Sequence, residues 1–291
     1  VAGGLYPTLF LIRFDRMSDV VTPECFNNLQ GLKEAAHQKL SYVFTSYRPL
    51  YDLSPAVFPK SVLSVFARNM FLSPAKPGDT KIIFQTLEER YHANFSTQVG
   101  TALINLSGGH VQYLHLAILR LHEEKNPPSD LLSYLVQDEQ IQLLSEELFE
   151  SLTKAEKEAL MRIQRGEVID QAMRQAASYL WNTGMVSEKN GKQGIFSPLF
   201  SHYLGTLTAP SGNGELTKKE HLLFTFLKAR EGELCERDVI IEAVWPESKD
   251  MGVSDWAIDR LVARVRGKLK TQGNSYEIVT VKTRGYKLIN H

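Results

Sequence analysis

Apolar side chains in the last third of the chain recur at helical spacing. Residues 216–233 carry four of them on one predicted helix face: Leu222, Leu223, Phe226 and Leu227. Thr217 precedes this face, and Glu220 follows Thr217 by three residues, which is the pattern of a helix-capping box. The pattern therefore predicts a helix that begins just after Thr217.

Two more helices and a β-ribbon are predicted after this first helix. The stretch "CERDVIIEAVWP" indicates a helix ended by Pro246, and residues 251–270 indicate a third helix, capped by Ser254 or Asp255. Apolar positions in the third helix are four, three and four residues apart, and they predict a buried stripe: Ile258, Val262, Val265 and Leu269. Alternation in "YEIVTVKTRGYKLI" then predicts two strands around the turn "KTRG".

The N-terminal pattern is that of a parallel sheet. Residues 9–14, "LFLIRF", are a short apolar run and predict a buried strand. Residues 22–40 open with Thr-Pro, a helix-start signal, and "LSYVFTSYRP" indicates a second strand. A strand, a helix and a strand in close succession predict a βαβ unit.

The middle of the chain is predicted to be mainly helical. Helical spacing runs from about 60 to 125, "NPPSD" at 126–130 breaks it, and further helices are expected near 130–151 and 153–165. Residues 168–204 indicate a helix, a strand, a glycine-containing turn and a second strand. The predicted domains are 1–60 (α/β), 61–125 (helical), 126–208 (helices and a hairpin), a linker at 209–215, and 216–291.

Composition narrows the class of protein. The net charge is zero, so any nucleic-acid surface must be local, and the two cysteines, Cys25 and Cys235, lack metal-ligand spacing. We find no apolar run of the ~20 residues that a membrane span needs. The start lacks a basic signal region and an initiator Met, so we expect a cytoplasmic protein and the C-terminal part of a longer chain. No hydrolase or zinc-site motif is present.

Positive charge is concentrated at the C-terminus. Residues 253–291 hold eight Lys or Arg against three acids. A solvated helix face with basic residues favoured by the helix dipole would give a similar pattern. With the hairpin added, the pattern favours a DNA-binding surface, because Arg binds guanine or phosphate through two N–H groups. The predicted DNA contacts are Arg260, Arg264, Arg266, Lys268, Lys282, Thr283 and Arg284.

The order of these C-terminal blocks resembles a known family. "LTKKEHLLFTFL", "RDVIIEAVW", "VSDWAIDRLVARVRGKL" and "IVTVKTRGYKL" together are similar to the OmpR/PhoB-type winged helix-turn-helix domain of bacterial transcription regulators. The resemblance implies that the third helix enters the major groove and that the wing contacts the adjacent minor groove or backbone. Arg264 and Arg266 match basic helix positions, and Arg284 matches the basic wing position. The family usually has "VRGxGYRL", so one wing glycine is missing here.

Residues 8–207 resemble the C-terminal half of a STAND-type AAA+ ATPase. Asp15 ends the strand "LFLIRFD", Arg48 follows the second strand, and "INLSGGHVQYL" is similar to the start of a helical lid. The resemblance implies an incomplete nucleotide site of Asp15, Arg48 and His110, with Asp15 near Mg²⁺. His110 is equally explained as a helix cap. The implied fold is multidomain α/β plus mainly α: a partial P-loop NTPase βαβ unit, a helical lid, a degenerate winged helix and the C-terminal winged helix.

The phosphate-binding P-loop itself is missing. No G-x-x-x-x-G-K-[ST] occurs, and "GKQG" at 191–194 has neither its spacing nor a following helix. The chain as given is therefore expected to hold no cofactor, with ATP and Mg²⁺ reserved for a full-length protein, which would be an ATPase candidate. We predict a bacterial DNA-binding transcription regulator under nucleotide control, with double-stranded DNA as partner, a homo-oligomeric binding mode and no membrane contact. The alternative is a STAND-type signalling and oligomerisation protein whose winged helix contacts protein.

Overall fold

The structure, a computed structural model, describes most of the chain. The chain divides into two compact units, residues 1–72 and 73–291, and each unit is treated by itself. The predicted linker at 209–215, the cap residue Ser254 and the wing residue Thr283 lie outside the described residues. The described residues are 6–17, 20–61, 63, 67–122, 124, 127–189, 191–207, 216–246, 253, 255–282 and 284–290.

The first unit is built on a pair of parallel strands. Its elements are β1 (Thr8–Leu11), a 3-10 turn (Phe14–Met17), α1 (Pro23–Ala35), β2 (Ser41–Phe44) and α2 (Leu50–Leu53). β1 and β2 pair in register from Thr8 with Ser41 to Leu11 with Phe44, which confirms the predicted βαβ unit. Aromatic side chains fill the core of this unit, where Phe14 and Phe58 are both buried and pack edge to face.

The prediction of a buried strand over 9–14 is only partly right. The strand ends at Leu11, and the chain turns at Arg13, whose φ is +56°. Leu9 and Phe10 are exposed. Among the described residues β1 pairs with β2 alone, so it is an edge strand, and the apolar run does not report on burial here.

The second unit begins with a helical core. Its helices and hairpin are α3 (Pro77–Arg90), α4 (Thr97–Ser107), α5 (Val111–His122), α6 (Leu131–Leu135), α7 (Glu139–Glu150), α8 (Lys154–Gln164), α9 (Gln171–Ala176), α10 (Ser178–Asn182), β3 (Val186–Lys189), β4 (Lys192–Ile195) and α11 (Pro198–Thr206). A single apolar cluster, which includes Leu103, Tyr113 and Phe200, joins these helices. β3 and β4 form the predicted antiparallel hairpin.

The helix predicted near 130–151 is interrupted. It is two helices, α6 and α7, separated at residues 136–138. The Asp138 carboxylate accepts hydrogen bonds from the backbone N–H groups of Gln140 and Ile141, at 2.9 and 3.1 Å. Asp138 therefore starts a new helix within a continuous apolar pattern, because a capping side chain satisfies the first free amides.

The C-terminal domain contains three helices and a small sheet. Its elements are α12 (Lys218–Lys228), β5 (Cys235–Glu236), α13 (Arg237–Val244), α14 (Asp255–Thr271), β6 (Tyr276–Val281) and β7 (Gly285–Asn290). The sheet is antiparallel, in the order β5-β7-β6. The predicted capping box is confirmed, because Thr217 accepts from the Glu220 amide and Glu220 accepts from the Thr217 amide. The short β5 was not predicted, since two residues carry no periodicity.

The stripe predicted on the third helix forms the centre of this domain. Ile258, Val262, Val265 and Leu269 are all buried, together with Trp245 of the preceding segment. Among the described residues, none of the helices combines the length and the apolar character required to cross a bilayer.

Candidate nucleic-acid interface

The surface of α14 is set by its buried stripe. One strip of the α14 surface away from the stripe carries Asp259, Ala263 and Gly267, and all three are exposed. With about 100° between successive residues, Arg260 lies almost directly opposite the stripe and beside this strip, and Arg264 follows one helical turn later; both are half-buried. The two guanidinium groups therefore border the exposed strip rather than occupy its centre.

Both of these arginines bind a single carboxylate from another part of the chain. The Arg260 Nε donates to Glu146 Oε1 over 2.6 Å, and the Arg264 Nη2 binds the other oxygen, Glu146 Oε2. The Glu146 side chain is only 7% exposed. Burial alone would lower the pKa of Arg260, but the hydrogen bond and charge of Glu146 outweigh burial and raise it. Each oxygen of this buried carboxylate is thus matched by a cation.

Glu146 lies on α7, and α7 contacts the C-terminal domain at two further places. Leu143, one turn before Glu146, is 3% exposed and belongs to the apolar cluster of the C-terminal domain. Glu139, at the start of α7, accepts a 2.9 Å hydrogen bond from the backbone N–H of Lys219 in α12. One face of α7, from Glu139 to Glu146, therefore contacts the domain that carries α14.

Two of the predicted DNA contacts bind within the C-terminal domain. The Arg266 Nε donates to the Ile278 carbonyl over 2.7 Å, and its Nη2 donates to the Thr280 hydroxyl over 2.8 Å. The Lys268 Nζ donates to Glu220 Oε2 over 2.6 Å, and the Glu220 side chain is 1% exposed. Arg266 joins α14 to β6, and Lys268 joins α14 to α12. DNA contact by either residue stays a prediction.

The wing presents its cations to solvent. Lys282 is exposed, and Arg284 is 63% exposed, with the Glu236 carboxylate 3.9 Å away. Thr283 is outside the described residues. Gly285, the wing glycine that the sequence retains, has its backbone against the Cys235 carbonyl, where a Cβ atom would overlap the oxygen. Close packing of β5 on β7 explains this glycine.

A polar network that the sequence did not indicate supports the exposed side of α14. Arg237 of α13 pairs with Asp259 over 2.6 Å, and the Tyr286 hydroxyl donates to the same carboxylate. Burial first, and then Asp259, raise the pKa of Tyr286, so its hydroxyl keeps the proton that it donates. The network fixes α14 relative to α13 and β7.

The predicted nucleotide residues of the first unit lie at one end of the sheet. Arg13 links the strand ends, because its Nη2 donates to Asp15 Oδ2 over 3.1 Å and its backbone N–H donates to the Thr45 hydroxyl over 2.9 Å. Within the described part of the chain, Asp15 Oδ1 is buried and has no hydrogen-bond partner. Arg48 is half-buried in the segment after β2, where its carbonyl accepts from Ser46.

His110 lies in the second unit and is held by helix capping and packing. Its Nδ1 accepts the Tyr113 backbone N–H over 3.4 Å, and its ring lies against Tyr113 and Phe196. Burial lowers the pKa of His110 to about 4, so the ring is neutral at physiological pH. The preceding Gly108 and Gly109 have φ of +59° and +83°. This geometry accounts for His110 without a nucleotide, and the nucleotide role stays a prediction.

The carboxylate, histidine and cysteine side chains of the described residues form no group of three that could hold a metal ion.

The arrangement of residues 216–290 is that of a winged helix-turn-helix: three helices with the third on the surface, closed by the β6–β7 hairpin.

Comparison with known families supports this assignment. Residues 212–288 match the family described as "Transcriptional regulatory protein, C terminal". The C-terminal domain is thus a DNA-binding domain of the OmpR/PhoB type found in transcription regulators. The match does not include residues 1–211, and a comparison with curated proteins found no match of significance.

Proposed function

We propose that the chain is a bacterial transcription regulator that reads double-stranded DNA with α14 and the β6–β7 wing. The observation that carries the proposal is the family match over residues 212–288, which coincides with the winged-helix domain. The surplus of basic residues in 253–291 supports it, because phosphate contacts supply most of the sequence-independent binding energy.

The geometry suggests how the parts of this surface divide the work. Ala263 and Gly267 leave the exposed strip of α14 with little side-chain bulk, so a groove wall can come close to the helix. Arg260 and Arg264 border this strip and supply the base or phosphate donors, while Arg284 of the wing reaches the neighbouring backbone. Arg266 and Lys268 act by holding α14 in place.

The test is fluorescence anisotropy of the full chain on a mixed-sequence duplex at several salt concentrations. We expect log affinity to fall linearly with log salt concentration, and Arg284→Ala to reduce the slope by about one. Arg165→Ala removes a similarly exposed arginine outside the C-terminal domain and serves as the matched control, since Arg165 follows α8 and pairs with Glu167. The proposal would be contradicted if the DNA affinity did not change with salt concentration, or if the folded protein did not bind DNA at low salt.

A second candidate function is protein interaction. One observation favours it: the guanidinium groups of α14 already hold a carboxylate on a protein helix. In that case the winged domain would dock on acidic helices of a partner, and the chain would act as a signalling or oligomerisation component. If the folded full chain does not bind the duplex even at low salt, protein interaction becomes the favoured function.

We also propose that the first unit belongs to a nucleotide-binding switch. Its support is a parallel strand pair followed by Asp15 in the turn after β1, because the buried Oδ1 of Asp15 has no hydrogen-bond partner among the described residues and carboxylate oxygen is a ligand that Mg²⁺ prefers. Against it, Arg13 already engages the other oxygen of this carboxylate. Titration of the chain with fluorescent ATP, with and without Mg²⁺, tests the switch. An Asp15→Asn variant that binds ATP equally well would exclude Asp15 from the nucleotide site.

We further propose that two copies of the chain bind DNA together on paired half-sites.

A further inference from the structure

The cations placed to read DNA on α14 are already bound within the chain. Glu146 of α7 contacts both Arg260 and Arg264, and it is separated from them by 114 and 118 residues. This three-residue contact is called the α7 clasp below. A carboxylate and a DNA phosphate offer the same chemistry to a guanidinium group, namely a pair of anionic oxygens that accept two N–H bonds. The clasp and a duplex therefore compete for the same donors.

Transfer of both guanidinium groups from Glu146 to DNA is costly while α7 stays in place. The Glu146 side chain is almost fully buried, and a buried carboxylate that loses its cations is strongly destabilising. If a phosphate took both guanidinium groups while α7 stayed in place, Glu146 would be left in that state. Release of the arginines therefore requires α7 to move until water reaches Glu146.

The other contacts of α7 set the extent of that movement. Leu143 is packed in the apolar cluster of the C-terminal domain, and Glu139 caps the start of α12 through the Lys219 amide. Both lie on the same helix as Glu146. Opening the clasp thus means separating α7 from the C-terminal domain, which is a two-state change with a barrier rather than a side-chain rotation.

We infer that α7 holds the C-terminal domain in an autoinhibited state, in which Glu146 occupies Arg260 and Arg264 until a duplex or an upstream signal displaces α7. This inference rests on the proposed DNA-reading function and names its regulation. The wing is outside the clasp, since Arg284 is exposed. The closed state therefore keeps a weak, salt-dependent attraction for DNA and lacks the helix contacts.

The first experiment compares DNA affinity of full-length variants by fluorescence anisotropy. Glu146→Gln keeps the size of the side chain and removes its charge, so we expect at least tenfold tighter binding than the wild-type chain. Glu158→Gln is the matched control, because it removes one carboxylate that pairs with Arg162 and does not contact α14; its affinity should be unchanged. Adding Arg264→Ala to Glu146→Gln should abolish the gain.

The second experiment needs no variant that could fail to fold. Amide hydrogen exchange of the wild-type chain is measured with and without saturating duplex. Displacement predicts slower exchange in α14 and faster exchange in α7 when DNA binds.

The outcomes separate the inference from the function on which it rests. Equal DNA affinity of wild type and Glu146→Gln, together with unchanged exchange in α7, would overturn the autoinhibition and leave the DNA-reading function intact. No binding by any folded variant at low salt would overturn the DNA-reading function and the autoinhibition with it. Both the DNA-reading function and the autoinhibition are supported if Glu146→Gln binds DNA more tightly, Glu158→Gln does not, and amide exchange in α7 becomes faster when DNA is added.

Discussion

The sequence pattern predicts that Lys268 contacts DNA, whereas the surroundings of Lys268 in the structure favour a role in stability. Its ammonium group donates to Glu220 over 2.6 Å, and the same carboxylate caps the Thr217 amide over 2.8 Å. Glu220 is 1% exposed, whereas the Lys268 side chain is 25% exposed. The substitution Lys268→Met keeps the length and removes the charge, which leaves a buried carboxylate with a neutral donor only.

The magnitude follows from the burial of the two partners. Removing one member of a fully buried ion pair costs about 3–5 kcal/mol. Water reaches the Lys268 side of this pair, so we expect about 2–3 kcal/mol for Lys268→Met in the free energy of unfolding of the C-terminal domain. For a domain of this size that corresponds to a lower melting temperature by roughly 10–20 °C. Lys270→Met is the matched control, because Lys270 is exposed in the same last turn; it should change stability by less than about 0.5 kcal/mol.

The assay must report on one domain of a multidomain chain, since a single global unfolding transition is not expected. The chain has three tryptophans, at positions 181, 245 and 256. A Trp181→Phe background leaves fluorescence in the C-terminal domain only, and urea titration then follows that domain. In the double variant with Glu220→Gln, the loss should be smaller than the sum of the two single losses. If Lys268→Met left stability unchanged and weakened DNA binding tenfold, Lys268 would be a DNA contact and not a stabilising partner of Glu220.

Three single contacts can each be tested by one substitution or by a change of pH. Arg266→Gln removes two hydrogen bonds from α14 to β6, so urea titration should show a loss of about 1–2 kcal/mol; no loss would mean that the bonds do not form in solution. The pKa of His110 falls to about 4 on folding, so stability that is present above pH 6.5 should be lost towards pH 4, by about 3 kcal/mol in all. Amide exchange in α5 measures this loss, and His110→Asn should flatten the profile. Gly285→Ala places a Cβ on the Cys235 carbonyl, so exchange in β5 and β7 should accelerate; unchanged exchange would show that the strands can separate freely.

Local features of the C-terminal domain could be predicted from the sequence because their causes are local. The stripe from Ile258 to Leu269 repeats with the helix period, and the capping box joins Thr217 and Glu220, which are only three residues apart along the chain. The sequence also contains a signal for the break at Asp138, since an Asp followed by Glu in the first helical turn is a helix-start signal. It was missed because the apolar pattern continues across it.

The partners of the basic residues could not be predicted in the same way. Arg260 and Arg264 have the sequence signature of a solvated or DNA-binding face, and Glu146 is one acid among several on α7. Their contact depends on how two domains pack, and neither periodicity nor net charge carries that information. The same limit applies to Arg266. A side chain beside the buried stripe can reach either a DNA groove or the hairpin of its own domain, and the sequence pattern is the same in both cases.

The distribution of the basic residues gives an order to the proposed encounter with DNA. Arg284 and Lys282 stand on the exposed wing, so long-range attraction to phosphate acts on them first. Arg260 and Arg264 become available only when α7 leaves, so their contribution adds to the affinity after the wing is in place. A regulator arranged in this way would find DNA at a rate set by the wing and by salt. Its stay on a site would be set by the competition between Glu146 and the duplex. Substitutions on the wing should therefore act on the association rate, and Glu146→Gln should act on the dissociation rate.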